Sequence, residues 1–454
     1  MQKRTVSLCC AALIGIASIP SLAAISEAEA ERLGGPELTP VGAERAGNAD
    51  GTIPPWEGGV SEYPAGYSVG DRLLDPYADD EPLFTITAEN VDDYADKLSP
   101  GQVAMFRRYP DTYRMRIFPT RRSARLPDTE YPRVKESAVT TELAEGGNGL
   151  LNFKYGLPFP IPSSGVEVIW NHIARYRNES GLKRRYTQIP VQANGNFAPV
   201  LFEDESIPAS RLPDNEYPNR LFVFIQRVLA PARLEGDVLL VHENIDQVKE
   251  PRKAWLYNAG QRRVRLAPNI AYDGPGTAAD GLRTADDLDM FNGSPDRYDW
   301  TLVGKKEMYI PYNSYDLRRG DLKYKDMVKA GHMNPDYLRY ELHRVWVVDS
   351  TLKEGARHIY ARRTFYLDED SWQLSLIDHY DGRGELWKVK EGHFIMHYQV
   401  AVPWLAAESL HDLISGRYIV IGLDNEESGY QYDFDYKGRF QDFTPAALRR
   451  AGRR

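Results

Sequence analysis

The chain has 454 residues, with 65 Asp and Glu against 56 Lys and Arg and a formal net charge of −9. An acidic balance of this kind argues against nucleic acid and against electrostatic docking on anionic lipid. The length holds two or three ordinary domains or one large β-rich one.

The chain opens with Lys3 and Arg4, then an apolar stretch (Val6, Leu8, Ala11–Ala17, Ile19), then small residues around Ala23. This is the layout of a secretory signal peptide cut after Ala23, and its apolar middle is too short to span a membrane. Both cysteines, Cys9 and Cys10, leave with it, so the mature chain has neither disulfide nor thiol nucleophile. Lipidation at these cysteines is disfavoured, because Leu8 is too bulky and the apolar segment follows them. Loss of Lys3 and Arg4 leaves 54 cations against 65 acids, a balance of −11. A bacterial periplasmic protein fits these features. Aromatics reach 11%, with 28 Tyr and 8 Trp. Such side chains suit sheets around a hollow, or simply many half-buried strands.

Residues 24–86 read as an extended N-terminal arm. Ser26 and Glu29 form a capping-box pattern, and the Gly- and Pro-rich run Leu38–Trp56 can be neither helix nor central strand. Trp56 is its expected anchor. Thr87–Leu98 and Pro100–Arg108 read as helices, the first capped by Thr87, the second by Ser99 with proline at its first position. Tyr113–Arg125 reads as a strand rich in arginine. Ser164–Tyr176 is the clearest helix: Val166, Ile169, Trp170 and Ile173 recur at helical spacing behind a Ser164 cap. From Arg184 onward strands and turns dominate. Leu221–Leu229 is nearly continuous apolar sequence, expected to be buried on both faces. Lys253–Asn258 and Arg262–Leu266 flank Ala259-Gly260 as a hairpin. Pro268–Tyr298 is a long loop rich in Gly, Asp and Pro, of a length that usually marks function or a lid. The C-terminal third continues the meander, with a last hairpin expected between Gly429–Tyr436 and Arg439–Phe443, and a basic helix after Thr444-Pro445. The pattern is α+β, mainly antiparallel β: one domain over 87–454 with a wide curved sheet or open barrel.

No catalytic constellation stands out. Gly66-Tyr67-Ser68-Val69-Gly70 matches a serine-hydrolase elbow, but such an elbow needs a strand before it and a helix after it, and Pro64 and Pro76 leave no room for either. His393 and His397 alternate with apolar residues at strand period, which sets them ~13 Å apart on one face; they read as surface or edge histidines. Asp286, Asp287 and Asp289 lack the glycine and distal glutamate of a calcium loop and read as a solvated acidic loop. Gly146-Gly147-Asn148-Gly149 reads as a flexible turn. The cluster Arg114, Arg116, Arg121, Arg122 and Arg125 reads either as an anionic-headgroup site or, more simply, as a solvated strand face paired with acids.

Several stretches together resemble one bacterial family. They are LTPVGAERAGNADGTIPPW (38–56), VEVIWNHIARY (166–176), AWLYNAGQRRVR (254–265), APNIAYDGPGTAADGLRTADDLDMFNGSPDRYDW (267–300) and YLDEDSWQLSLIDHYDGRGELW (366–387). The family is domain of unknown function 1329, often labelled outer-membrane lipoprotein-sorting protein. It is similar to the LolA/LolB lipoprotein carriers. The resemblance implies an open half-barrel sheet, helices on its concave side and an apolar cavity for acyl chains. It also implies a periplasmic location, possible association with the outer membrane, and partners in an RND-type inner-membrane exporter and an outer-membrane β-protein. It supplies no catalytic residue, metal or cofactor.

On this reading the protein is a periplasmic carrier of a lipid or other hydrophobic molecule, and not an enzyme. Phe222, Phe224, Trp255, Tyr257, Trp346, Phe365 and Trp372 would wall the cavity, Ile169, Trp170 and Ile173 would plug it, and Asp286, Asp287 and Asp289 would sit on a mouth loop. Trp170→Ala is then expected to weaken lipid binding more than folding. Two alternatives stand beside it. One is a non-catalytic adaptor of an exporter complex, touching its partners through the arm and the basic tail Arg449–Arg454. The other is a periplasmic hydrolase using the Asp-rich loop beside His332 or His379.

Overall fold

The computed structural model describes residues 24–212, 217–267, 270 and 272–451. The signal peptide expected over residues 1–23 and the end of the basic tail lie outside the described residues. Among the described residues, no helix is long and apolar enough to cross a membrane.

The helices begin where the caps dictate. Helix α1 (Glu27–Ala30) starts at Ser26 and α2 (Pro100–Arg108) at Ser99; α4 (Gly165–Ala174) starts at Ser164. Each has a reciprocal capping box, with Glu29, Gln102 and Glu167 at the third helical position. The serine hydroxyl accepts from that residue's N–H while its side chain accepts from the serine N–H, satisfying two otherwise orphaned donors. Helix α3 (Glu130–Thr140) has no such cap and escaped the sequence reading. Thr87–Leu98 is also different from expectation. It is a 3₁₀ turn over Val91–Lys97, and Asn90 rather than Thr87 organises its start: the Asn90 Oδ1 accepts from Thr87 N at 2.7 Å. Short helix α5 (Tyr324–Met327) and helix α6 (Pro445–Ala451) complete the set.

The strands before α4 are short. They are β1 (Phe84–Ile86), β2 (Met115–Ile117), β3 (Glu142–Leu143) and β4 (Leu150–Leu151). Only Met115–Ile117 of the Tyr113–Arg125 segment is laddered. Two long meanders follow. The first comprises β5 (Leu182–Val191), β6 (Val200–Pro208), β7 (Arg220–Ala230), β8 (Val238–Asn244), β9 (Lys253–Asn258) and β10 (Arg263–Leu266). The second comprises β11 (Tyr298–Pro311), β12 (Tyr340–Leu352), β13 (Arg362–Asp368), β14 (Leu374–Tyr380), β15 (Leu386–His397), β16 (Val402–Asp412) and β17 (Tyr418–Leu423). An antiparallel β17–β5 ladder joins them. The sheet therefore runs β11 through β17, then β5 through β10, with β1–β2 attached at the start of β12. Edges β10 and β11 each pair with one neighbour, so the sheet is open. The mainly antiparallel α+β half-barrel expected from the sequence is what forms. The expected final hairpin does not: β18 (Tyr432–Asp433) adds to β5, and Phe440–Asp442 is a 3₁₀ turn.

Period-two alternation tells the two faces apart. On β15, Lys390 donates to the carbonyls of Asp287 and Met290 on one side. On the other side a Cβ at Gly101 of α2 would lie 2.7 Å from Val389 Cβ, so α2 rests directly on that face. Helix α4 lies on the first, inner face, where a Cβ at Gly165 would come within 3.0 Å of Thr301 and Val348. Val168, Ile169, Trp170 and Ile173 are all fully buried there. The β11–β15 region is thus covered on both sides. Beyond β6 the outer face is covered by α6, whose Leu448 packs with Val223, Ile225, Leu240 and Tyr257. The inner face there is filled only in part: Tyr186, Phe202 and Val228 pack with Ala279 and Leu282, and the remainder faces a cavity. This corrects the reading of Leu221–Leu229 as buried on both sides: Val223 and Ile225 are buried, while Phe222 and Phe224 are half-buried on the opposite face.

The arm is tied down by indole and guanidinium donors. Trp56 Nε1 donates to Ala124 O at 3.0 Å, and Trp372 Nε1 to Val41 O at 2.9 Å. The arginine cluster is consumed by partners. Buried Arg122 grips Asp370 at 2.6 and 2.8 Å and donates to Glu44 O, Arg121 holds Asp80, and Arg125 holds Asp128. Arg114 pairs with Asp336, and Arg116 donates to backbone carbonyls. It is neither a headgroup site nor wholly solvated.

Candidate ligand cavity

The inner faces of β5–β8 form one wall of a cavity of about 210 Å³. Alternating residues supply it: Leu182 and Arg184, Asp204 and Ser206, Phe222, Phe224 and Gln226, Leu239 and Val241. The opposite wall comes from Ala174–Glu179 at the end of α4, Phe153–Gly156 and the Gly276–Asn292 loop; Trp404, Leu405 and Ile421 close one end. Helix α3 reaches the rim with Glu130 and Arg133. Thus α4 does double duty: its body fills the β11–β12 side, and its last turn bounds the cavity.

The wall is mostly apolar, but charge is embedded in it. Cations Arg133, Lys154, Arg175, Arg177, Arg184, Arg252 and Arg283 outnumber carboxylates Glu130, Glu179, Asp204, Asp289 and Glu408. Asp289 is shared by two guanidiniums, Arg175 at 2.6 Å and Arg177 at 2.7 Å. Burial works against this carboxylate, yet the two arginines hold it well below the usual range. Arg175 is itself pushed down to about 10 by burial and by Arg177 beside it. On the floor Arg184 meets Asp204 at 3.2 Å. Burial lifts the Asp204 carboxyl, and Arg184 opposes the rise. Arg252 is paired with Glu243 at 2.6 Å, and Glu408 with Lys390 at 2.8 Å.

The structure divides the residues nominated from sequence. Phe222 and Phe224 line the cavity. Ile169, Trp170, Ile173, Phe365 and Trp372 are buried in the main core, away from it. Trp346 is half-buried and stacked on Trp372, with ring centroids 6.0 Å apart. Trp255 and Tyr257 belong to the outer cluster under α6. Alternation gives the parity of a strand but not the direction of its faces, and β9 is turned the other way. Trp170, with its Nε1 bonded to Gly147 O at 2.8 Å, lies in the main core and not on the cavity wall.

The acidic loop also needs correction. Asp289 reaches the cavity, but Asp286 and Asp287 are buried beneath the loop. Asp286 meets Arg363 at 2.9 Å and His358 at 3.1 Å; Asp287 meets His379 at 3.3 Å and the Tyr360 hydroxyl at 3.1 Å. They anchor the loop to β13 and β14. His393 and His397 are not surface residues either. Both are fully buried, because β15 is an interior strand of the sheet. Burial pushes His393 down to about 3 and His397 well below its ordinary value. Ser68 sits in an exposed turn with no strand before it and no helix after it.

Among the described residues one group brings potential ligand atoms together: His343, Asp368 and Asp370, all buried. However, Arg122 occupies both oxygens of Asp370, and Glu341 holds His343 Nε2 at 3.1 Å. A guanidinium in that position disfavours a cation, and the group reads as part of the network binding the arm.

The family described as "Protein of unknown function (DUF1329)" matches residues 85–449. The chain belongs to this family. "Uncharacterized protein PA3922" of Pseudomonas aeruginosa is 58% identical over 434 residues, covering 95% of each chain. Among solved structures, a putative outer membrane lipoprotein-sorting protein domain from Vibrio parahaemolyticus aligns at 14% identity with a TM-score of 0.44, covering 63% of this chain and 98% of that one. A DUF1329 family protein from Desulfovibrio piger aligns at 14% identity and 0.41, covering 60% and 92%. The LolA superfamily protein NE2245 from Nitrosomonas europaea aligns at 10% and 0.38, covering 62% and 98%.

Proposed function

We propose that this DUF1329 protein is a non-catalytic periplasmic binding protein. It holds a lipid or other hydrophobic molecule in the β5–β8 cavity as one component of an export system between the inner and outer membranes. The observation that carries this reading is the part of the inner face of β5–β8 that no element covers. Phe222, Phe224, Leu239 and Val241 present apolar surface to a cavity, while β13, β14 and β15 are buried along nearly their whole length. An acyl chain seated there gains ~0.8 kcal/mol for each buried CH₂, and a concave, mostly apolar wall with a few placed polar groups is the usual form of a small-molecule site. The RND-type exporter and the outer-membrane β-protein named by the family resemblance are the partners this reading expects.

The test is native mass spectrometry with solvent extraction on protein purified from the periplasm without detergent. A stoichiometric co-purifying lipid or terpenoid supports the carrier. A protein that is empty and also fails to take up a fluorescent fatty acid overturns it in favour of the adaptor.

A further inference from the structure

Arg283 stands apart from the other cavity cations. Its residue is 5% exposed and lines the cavity. Nε donates to Gln188 Oε1 at 3.0 Å and Nη1 to Thr284 O at 3.2 Å. Among the described residues no carboxylate pairs with it, and Nη2 has no hydrogen-bond partner. The acids facing it are engaged elsewhere: Asp204 with Arg184, Asp287 with His379, and Glu408 with Lys390 and the Met290 N–H. The guanidinium is also held in place. Gln188 is fixed by donating to Thr277 O at 2.8 Å, and a Cβ at Gly276 would stand 2.5 Å from Nη1. A buried charge is costly unless it is paired. Here it is pre-positioned at a cavity to which Phe222, Phe224, Leu239 and Val241 also contribute. On the lining of the same cavity Arg175 and Arg177 share one carboxylate, which adds a second excess of positive charge. This happens in a chain whose overall charge is −9.

We propose that the cavity selects amphiphiles with an anionic headgroup, a carboxylate or a phosphate, and that Arg283 is the seat of that headgroup. The inference rests on the carrier reading. The planar guanidinium offers parallel N–H donors that suit either oxyanion, while the chain lies along Phe222, Phe224, Leu239 and Val241.

The experiment is calorimetric titration of the full mature protein with dodecanoate, dodecyl phosphate and dodecanol, and with inorganic phosphate alone. The expected result is that both anionic amphiphiles bind about tenfold or more tightly than dodecanol, the scale of a charge-assisted hydrogen bond. In Arg283→Gln the three amphiphiles should fall within about threefold of one another, and Arg283→Lys, which keeps the charge but loses the fork, should fall between. Equal affinity for dodecanoate and dodecanol in the wild type overturns the headgroup inference and leaves the carrier intact; this comparison stands even if the variants do not fold. Preference retained in Arg283→Gln overturns the assignment to Arg283. Inorganic phosphate binding as tightly as dodecyl phosphate overturns the amphiphile in favour of a plain anion site. No binding of any amphiphile overturns the carrier reading itself.

Discussion

One sheet carries two differently finished regions. Across β11–β15, α4 and the Asp286–Met290 segment cover the inner face and α2 covers the outer. Across β7–β9, α6 covers the outer face, and much of the inner face of β5–β8 is left to a cavity. Both regions are built from similar strands rich in aromatic and branched residues. The difference therefore lies in what the connections supply, not in the strands. The α4 body supplies Trp170 and Ile169, whereas the segment after it supplies Arg175, Arg177 and Asn178. A polar, arginine-rich wall cannot close on phenylalanines as an apolar helix does, and a cavity persists where the two meet.

The sharpest way to break this comparison is to hollow out the filled region. Trp170 is fully exposed to core neighbours and not to solvent. Trp170→Ala should cost about 3–5 kcal/mol of stability, read by urea denaturation. A variant with unchanged stability but weaker probe uptake would return Trp170 to the ligand and erase the distinction between the regions.

The filled region also carries the pH response. Under α2, burial pushes Glu391 up to about 7 and Asp378 up to about 6, against hydrogen bonds from Tyr340 and from Ser99 respectively. For an acid whose folded-state pKa is raised, the native state holds the proton longer than the unfolded chain does. Stability is therefore fully present below about pH 4.5 and declines as pH rises towards 7. The carboxylates with depressed values, Asp287 and Asp289, act in the opposite sense and at lower pH. Glu391→Gln should flatten the decline between pH 4.5 and 7 by roughly 2–3 kcal/mol, measured as the pH dependence of unfolding free energy. An unaltered slope would show that Glu391 titrates as it does in the unfolded chain.

Much of the filled region was legible in the sequence, and little of the cavity was. The Ser164 cap and the spacing of Ile169, Trp170 and Ile173 placed α4 correctly, and Ala259-Gly260 placed the β9–β10 hairpin. These signals are local: a cap, a period, a turn. Face direction is not local. Phe222, Val223, Phe224 and Ile225 are all apolar because one pair meets α6, more than 200 residues on, and the other pair meets a cavity. The same limit explains the acidic loop. Asp286 and Asp287 look solvated because their partners, His358, Arg363 and His379, are 72, 77 and 92 residues away. Arg283 gave no signal at all, since a single arginine in a polar loop is ordinary until the structure shows what it lacks.

The smallest effect on folding, and the most discriminating, is expected from the open region. Phe224 is half-buried on the inner face of β7, and the Cβ positions on either side of it, Val223 and Ile225, hold the outer core. Truncating Phe224 removes ring surface from the cavity wall without opening a void beneath α6. Phe224→Ala should therefore lower stability by under about 1 kcal/mol while weakening a fluorescent fatty acid by about tenfold, the equivalent of ~50 Å² of apolar contact at ~25 cal/mol/Å². The two quantities are measured on one preparation, by denaturation and by titration of the probe. Trp170→Ala should show the reverse ratio. If Phe224→Ala instead loses several kcal/mol of stability and leaves probe affinity untouched, its ring belongs to the core, and the inner face of β5–β8 is as closed in solution as that of β11–β15.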